Sequence, residues 1–255
     1  MSHPSIAEVN AAFAARLRAG ETLLGSIIAL PCAEVAELFS RAGFDWLCID
    51  TEHAPLDPLA AQGLLQAARC PCLVRVPEGE EAVIKKALDI GAAGVIVPQV
   101  NTAADAARIV RYCKYPPQGS RGVGIVRAQG YGLDFQEYVA GANDNVIVML
   151  QIEHIDAVND IDAIVRVPGV DALMIGPYDL SGSMGLLGQV NHPEVEQAME
   201  TVRRACAAAG MKLAIFAATA EGMKPYIRKG YTLPIAGMDL MLLSAAAKSM
   251  VQALK

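Results

Sequence analysis

Asp50, Glu52 and His53 stand within four residues, directly after the short apolar run Trp46–Ile49. Carboxylates beside a buried segment cost free energy unless they are paired or put to use. Of the three groups, the imidazole has its ordinary pKa nearest neutrality, so His53 is a candidate general base. A lone histidine can equally be structural. His3 is terminal, His154 follows Glu153 and faces the other way on a strand, and His192 opens a helix. Asp89, late in the helix after the third apolar run, could orient His53.

Arg75 interrupts the apolar run Leu73–Val76. Arginine is rarely buried without a partner. It could hold a substrate carboxylate or stabilise developing negative charge. It could equally be a bridge to Asp50 or Glu52.

Gln151 and Glu153 lie two apart, hence on one face of a strand. Asp179 follows the turn Gly176-Pro177-Tyr178. Glu153 and Asp179, with no Cys or His beside both, make a hard oxygen pair. Such a pair suits Mg²⁺ or Mn²⁺, with Co²⁺ as a further option, rather than zinc. The other reading is two solvated loop carboxylates, or Glu153 paired with Arg75. No lysine stands at a strand end, which disfavours a Schiff-base mechanism. No Gly-x-Ser-x-Gly elbow is present.

These residues need elements to position them. Eight apolar runs are visible: Leu23–Leu30, Trp46–Ile49, Leu73–Val76, Gly94–Val97, Val146–Ile152, Ala172–Ile175, Leu213–Phe216 and Thr232–Ala236. Most are near-continuous Val/Ile/Leu segments, as in parallel strands covered on both faces. Helical periodicity spans Ala33–Ala42, Glu80–Ile90, Thr102–Tyr112, Ile155–Val165, Pro193–Ala209 and Thr219–Lys229. Gly43, Gly91, Gly169, Gly210 and Gly230 fall where helices should stop. The alternation predicts an α/β fold, a single-domain (β/α)₈ TIM barrel over residues 1–255. A doubly wound sheet is the runner-up, weakened by the lack of Gly-x-Gly-x-x-Gly after the first strand. Tyr115–Asn145 is a long irregular insertion. In a barrel the strand ends, with Phe216 closing the seventh and Asp239 just beyond the eighth, converge on one mouth.

Composition narrows the partners. The 255-residue chain is 53% hydrophobic with a net charge of −6. It has no basic patch with interleaved aromatics, which argues against nucleic acid. No apolar run reaches the roughly 18 residues of a membrane span, and no secretory signal is visible. The six scattered cysteines read as reduced thiols of a cytoplasmic protein. Cys70-Pro71-Cys72 lacks the second pair that zinc would need.

Four segments carry a resemblance: Phe44–Pro55, Tyr115–Gly124, Leu150–Glu153 and Gly169–Ser181. With them the chain resembles the HpcH/HpaI aldolases, metal-dependent pyruvate aldolases on a phosphoenolpyruvate/pyruvate-type barrel. The resemblance implies reversible cleavage of a 4-hydroxy-2-oxo acid to pyruvate and an aldehyde, through an enolate stabilised by a divalent ion. It implies that Glu153 and Asp179 hold the metal and that Asp50 and Glu52 lie near metal-bound water. Arg75 matches the arginine at the pyruvate oxo group. His53 matches the acid/base histidine and Asp89 its paired aspartate. Gln151, Gly176, Tyr178, Asp179 and Phe216 match pyruvate-binding positions. It also implies a homo-oligomer, a hexamer built as a trimer of dimers that exchange a C-terminal helix. Thr51, Tyr178 and Phe216 depart from the commoner Gly, Ala and Leu and bear on the aldehyde pocket. A citrate-synthase-like or acyl-CoA condensation on the same scaffold is the alternative chemistry. A non-catalytic oxo-acid binding protein is the alternative class.

Overall fold

Period-two alternation decides which strand residues face each other. A computed structural model describes residues 4–255, so His3 lies outside the described residues. Eight parallel strands close into a barrel in chain order. They are β1 (Gly25–Ile28), β2 (Trp46–Asp50), β3 (Cys72–Arg75), β4 (Gly94–Val97), β5 (Ile147–Ile152), β6 (Ala172–Ile175), β7 (Lys212–Ala217) and β8 (Leu233–Met238). Trp46, Cys48, Leu73, Met149, Met174, Ala214 and Ile235 pack together as one apolar cluster. Their strand neighbours Leu47, Ile49, Val74, Leu150, Leu173 and Ile215 join a larger cluster with the surrounding helices. The first cluster is the barrel interior and the second the layer between strands and helices. The expected single-domain TIM barrel is therefore the fold.

The helices are α1 (Ile6–Ala19), α2 (Ala33–Ala42), α3 (Pro58–Ala67), α4 (Glu81–Asp89), α5 (Ala103–Cys113), α6 (Phe135–Asn145), α7 (Ile155–Asn159), α8 (Ile161–Ile164), α9 (Pro177–Ser183), α10 (Pro193–Ala209), α11 (Ala220–Arg228) and α12 (Asp239–Leu254). Helix α1 precedes the barrel and packs Phe13, Ala14 and Leu17 into the interior cluster. It therefore closes the end of the barrel where the strands begin. Ser5 caps it, accepting from Glu8 N at 3.1 Å while Ser5 N donates to Glu8 Oε2 at 2.7 Å.

Three expectations change. The insertion Tyr115–Asn145 is only partly irregular, because its last third is α6, preceded by a 3-10 turn at Arg127–Gly132. The expected helix Ile155–Val165 breaks at Asp160, whose carboxylate leaves the helix pattern and accepts from Ala103 N at 2.7 Å. The eighth strand runs on to Met238. There Asp239 seals the barrel, its Oδ2 accepting from Ala29 N and Leu30 N, each at 2.9 Å.

Candidate active site

The alternation that buries the apolar residues also aims polar ones at the mouth. Asp50 continues the inward series Trp46, Cys48; Arg75 continues Leu73; Gln151 continues Met149. Asp50 and Arg75 are direct register partners across β2 and β3. Arg75 Nε donates to Asp50 Oδ1 at 3.0 Å and its Nη2 to Oδ2 at 2.7 Å. Glu52 Oε2 lies 3.3 Å from Arg75 Nε. The bridge to Asp50 and Glu52 is thus made, and it clamps the guanidinium plane. Nη1 keeps no hydrogen-bond partner among the described residues. Burial opposes the Arg75 charge, but the Asp50 hydrogen bonds and the surrounding negative charges together outweigh it, and its pKa stands above the ordinary value.

Asp50 also accepts from the backbone N–H of Glu52 and of His53, each at 3.2 Å. That turn lifts His53 out of the wall, leaving its side chain 62% exposed with Nε2 3.5 Å from Glu52 Oε2. Burial pushes the Glu52 carboxyl above its ordinary pKa, against the pull of Arg75 and His53. Thr51 uses its hydroxyl to donate to Arg75 O at 2.7 Å, pinning the end of β3.

Glu153 follows β5 and is buried. Gln151 Nε2 donates to its Oε2, and Gln99 N donates to its Oε1 at 2.8 Å. Gln99 reaches it because its backbone takes a left-handed φ of 57°. Burial raises the Glu153 pKa, and the nearby Asp179 charge adds to the rise. Asp179 sits exposed in the first turn of α9. Gln151 Oε1 is buried without a hydrogen-bond partner. Two carboxylates of mutual repulsion beside an orphaned amide oxygen form an oxygen-only donor set, and a divalent cation fits it. Gly176 makes room: a Cβ there would lie 2.9 Å from both Glu153 Cβ and Oε2.

A cavity of about 240 Å³ is lined by Asp50, His53, Arg75, Gln151, Gly176, Tyr178, Asp179 and Phe216. Ile27, Met174, Met238 and Met241 are among its apolar lining. Sequence reasoning missed those four and Gln99, since methionines in an apolar run carry no sign that they face a site. Every expected site residue except Asp89 is at this mouth, with Glu52 and Glu153 bonded at its edge. Asp89 ends α4, which runs back against the strands to the opposite end of the barrel. There it accepts from Arg121 Nη2 at 3.0 Å. Within one chain, among the described residues, nothing joins it to His53.

Comparison with known proteins gives the family. The family model for HpcH/HpaI aldolase/citrate lyase matches residues 28–246. The chain belongs to the HpcH/HpaI aldolase/citrate lyase family. It is 39% identical to a hydroxypyruvate/pyruvate aldolase of Pseudomonas aeruginosa, over 93% of this chain and 90% of that protein. It is also 39% identical to a 4-hydroxy-2-oxovalerate aldolase of Rhodococcus jostii, over 91% of each. A solved HpcH/HpaI family structure from Burkholderia cenocepacia superposes with a TM-score of 0.91 at 37% identity, over 96% of this chain and 99% of that one. As a member of the HpcH/HpaI family the chain is an aldolase-type lyase.

Proposed function

We propose that the protein cleaves and forms 4-hydroxy-2-oxo acids, yielding pyruvate and an aldehyde, with Mg²⁺ or Mn²⁺ held by Glu153 and Asp179. The observation that carries this reading is the shared cavity: His53, the clamped Arg75 and Gln151 meet beside the carboxylate pair. A divalent ion there would supply Lewis acidity to the oxo group of the substrate. Arg75 adds a fixed positive charge through the free Nη1, preorganised by Asp50 so that no reorganisation is needed as charge develops. His53, at the open rim, takes the proton of the 4-hydroxyl. The C3–C4 bond then breaks, the aldehyde leaves, and pyruvate enolate gains a proton at C3. Phe216 and Tyr178 form the apolar wall against the methyl side of pyruvate and the aldehyde.

A homo-oligomer suits this chain, as a hexamer exchanging α12 between subunits. Support comes from α12 itself, which buries only Asp239 and exposes Leu243, Met250, Val251 and Leu254. Pairing of His53 with Asp89 would then require a second subunit, since the two lie at opposite ends of one barrel. A cytoplasmic location belongs to the same proposal, supported by six cysteines that are all free thiols. Among the described residues, no helix is long and apolar enough to cross a membrane.

The deciding experiment is exchange of pyruvate methyl protons in deuterated water. Exchange should require Mg²⁺ or Mn²⁺, stop with chelator, and persist without any aldehyde. Metal-independent exchange, or a lysine adduct trapped by borohydride, overturns the reading.

A further inference from the structure

Strand order divides the mouth of the barrel into two halves. β2, β3, β4 and β5 are consecutive around it, and so are β6, β7, β8 and β1. The first four carry the polar groups: Asp50, Arg75, the Gln99 N–H just after β4, and Gln151 with Glu153. The other four present Met174, Phe216, Met238 and Ile27 to the same cavity.

The strand register makes that apolar half continuous. Met174 is the partner of Gln151 across β5 and β6, which marks the seam with the polar half. Ala214 is the partner of Met174 on β7, and Phe216 is two residues further on, on the same face. Ile27 and Met238 are partners across β1 and β8. Met241, in the first turn of α12, and Tyr178, exposed in the first turn of α9, complete the lip of this side.

Charge sorts the possible acceptors. Asp50 holds Arg75, Gln151 donates to Glu153, and the proposed reaction uses Arg75, His53 and Asp179. Among the described residues, no second arginine and no lysine lines the cavity. An aldehyde bearing a carboxylate, phosphate or sulfonate would find no counter-charge there. A polyhydroxylated aldehyde would give up hydrogen bonds to water without replacing them.

We infer that the acceptor is a short alkyl aldehyde whose hydrocarbon lies on Met174, Phe216, Met238, Ile27 and Met241, an assignment that rests on the proposed aldol reaction. The pyruvate methyl, placed against Phe216, supplies the carbon that forms the new bond, so the aldehyde enters over the apolar half. Enolate C3 bonds to the aldehyde carbon, and the aldehyde oxygen takes a proton from His53, matching the proton lost from C3. Three unbranched thioether side chains adapt to branched as well as straight chains. The cavity of about 240 Å³, shared with pyruvate, keeps that hydrocarbon small.

The test is aldol addition at saturating pyruvate and Mg²⁺, with aldehydes matched in size. 4-Methylpentanal carries an isopropyl group where 4-oxobutanoate carries its carboxylate, and 3-methylbutanal a methyl where 3-hydroxybutanal has its hydroxyl. The apolar member of each pair should show at least about tenfold higher kcat/KM. Met241→Lys should move the first ratio about tenfold toward 4-oxobutanoate, because it sets a cation on the apolar side. Met238→Gln should narrow both ratios without adding charge, and circular dichroism confirms that each variant folds. Saturation-transfer NMR reads binding without turnover: with pyruvate and Mg²⁺ present, 4-methylpentanol should receive saturation from the protein and 4-hydroxybutanoate should not. Equal or reversed ratios in the wild type, while pyruvate methyl protons still exchange in deuterated water, overturn the inference and leave the aldolase reading standing. So do unaltered ratios in both folded variants, or stronger saturation of 4-hydroxybutanoate. Absence of metal-dependent exchange defeats the aldolase reading itself, and the inference with it.

Discussion

His53 stands largely in solvent while Asp50, three residues earlier, is sealed at 1% exposure. The proposed roles differ accordingly, with Asp50 setting geometry and His53 moving a proton. His53→Ala should therefore lower aldol cleavage by about a hundredfold or more and leave Mn²⁺ affinity unchanged, as read by steady-state rates and metal titration. Asp50→Asn is a different kind of loss. It leaves the Arg75 charge buried without its two-point partner, so denaturant unfolding should report about 3 kcal/mol or more of lost stability. Glu153 adds a pH signature to the metal-free protein. Its pKa is raised by burial, so the folded state holds a proton that the unfolded state has released. That contribution is full below the ordinary carboxylate pKa and is lost as pH rises through the shifted value. Melting of metal-free wild type should fall with pH across this window relative to Glu153→Gln, and added Mg²⁺ should remove the difference. The residue types of the site were legible because each sits at the end of an apolar run. The Arg75–Asp50 pairing was one of two open readings, since only strand register makes them neighbours.

At the scale of elements, β6 and the turn into α9 control the carboxylate pair. Gly176 is the point of closest approach, with no space for a methyl group against Glu153. Gly176→Ala should displace Glu153 or the turn bearing Asp179. The expected outcome is at least a tenfold weaker metal affinity and about 1–3 kcal/mol of destabilisation, checked by Mn²⁺ titration and thermal melts. Strands were legible as apolar runs because both of their faces are buried. Helix α9 was hidden, for seven residues beginning Pro-Tyr carry too few turns to show a period. Gln99 was hidden for another reason: its contribution is a backbone N–H, which no side-chain pattern reveals.

Across the whole molecule the thiols report how completely the barrel closes. Burial pushes the Cys48, Cys113 and Cys206 thiols up to about 12. Cys72 is buried too, whereas Cys32 and Cys70 are partly open. A maleimide should label Cys32 and Cys70 in the native protein and reach the other four only on unfolding, as counted by mass spectrometry. Rapid native labelling of Cys48, which lies inside the barrel, would contradict the packing described for β2.

The amino-acid sequence by itself determined the barrel, its strand order and most of the polar side chains at the mouth. Those properties are local: an apolar run makes a strand, period two chooses its inward side, and the polar residue at its end has only the mouth to occupy. Tertiary structure decided what depends on distance through space. It joined Asp50 to Arg75 across adjacent strands and set Gln99 against Glu153. It carried Asp89 to the far end of the barrel, because α4 must run back along β3 before β4 can begin. It also placed α1 under the barrel, where Phe13, Ala14 and Leu17 close the interior against strands far away in sequence.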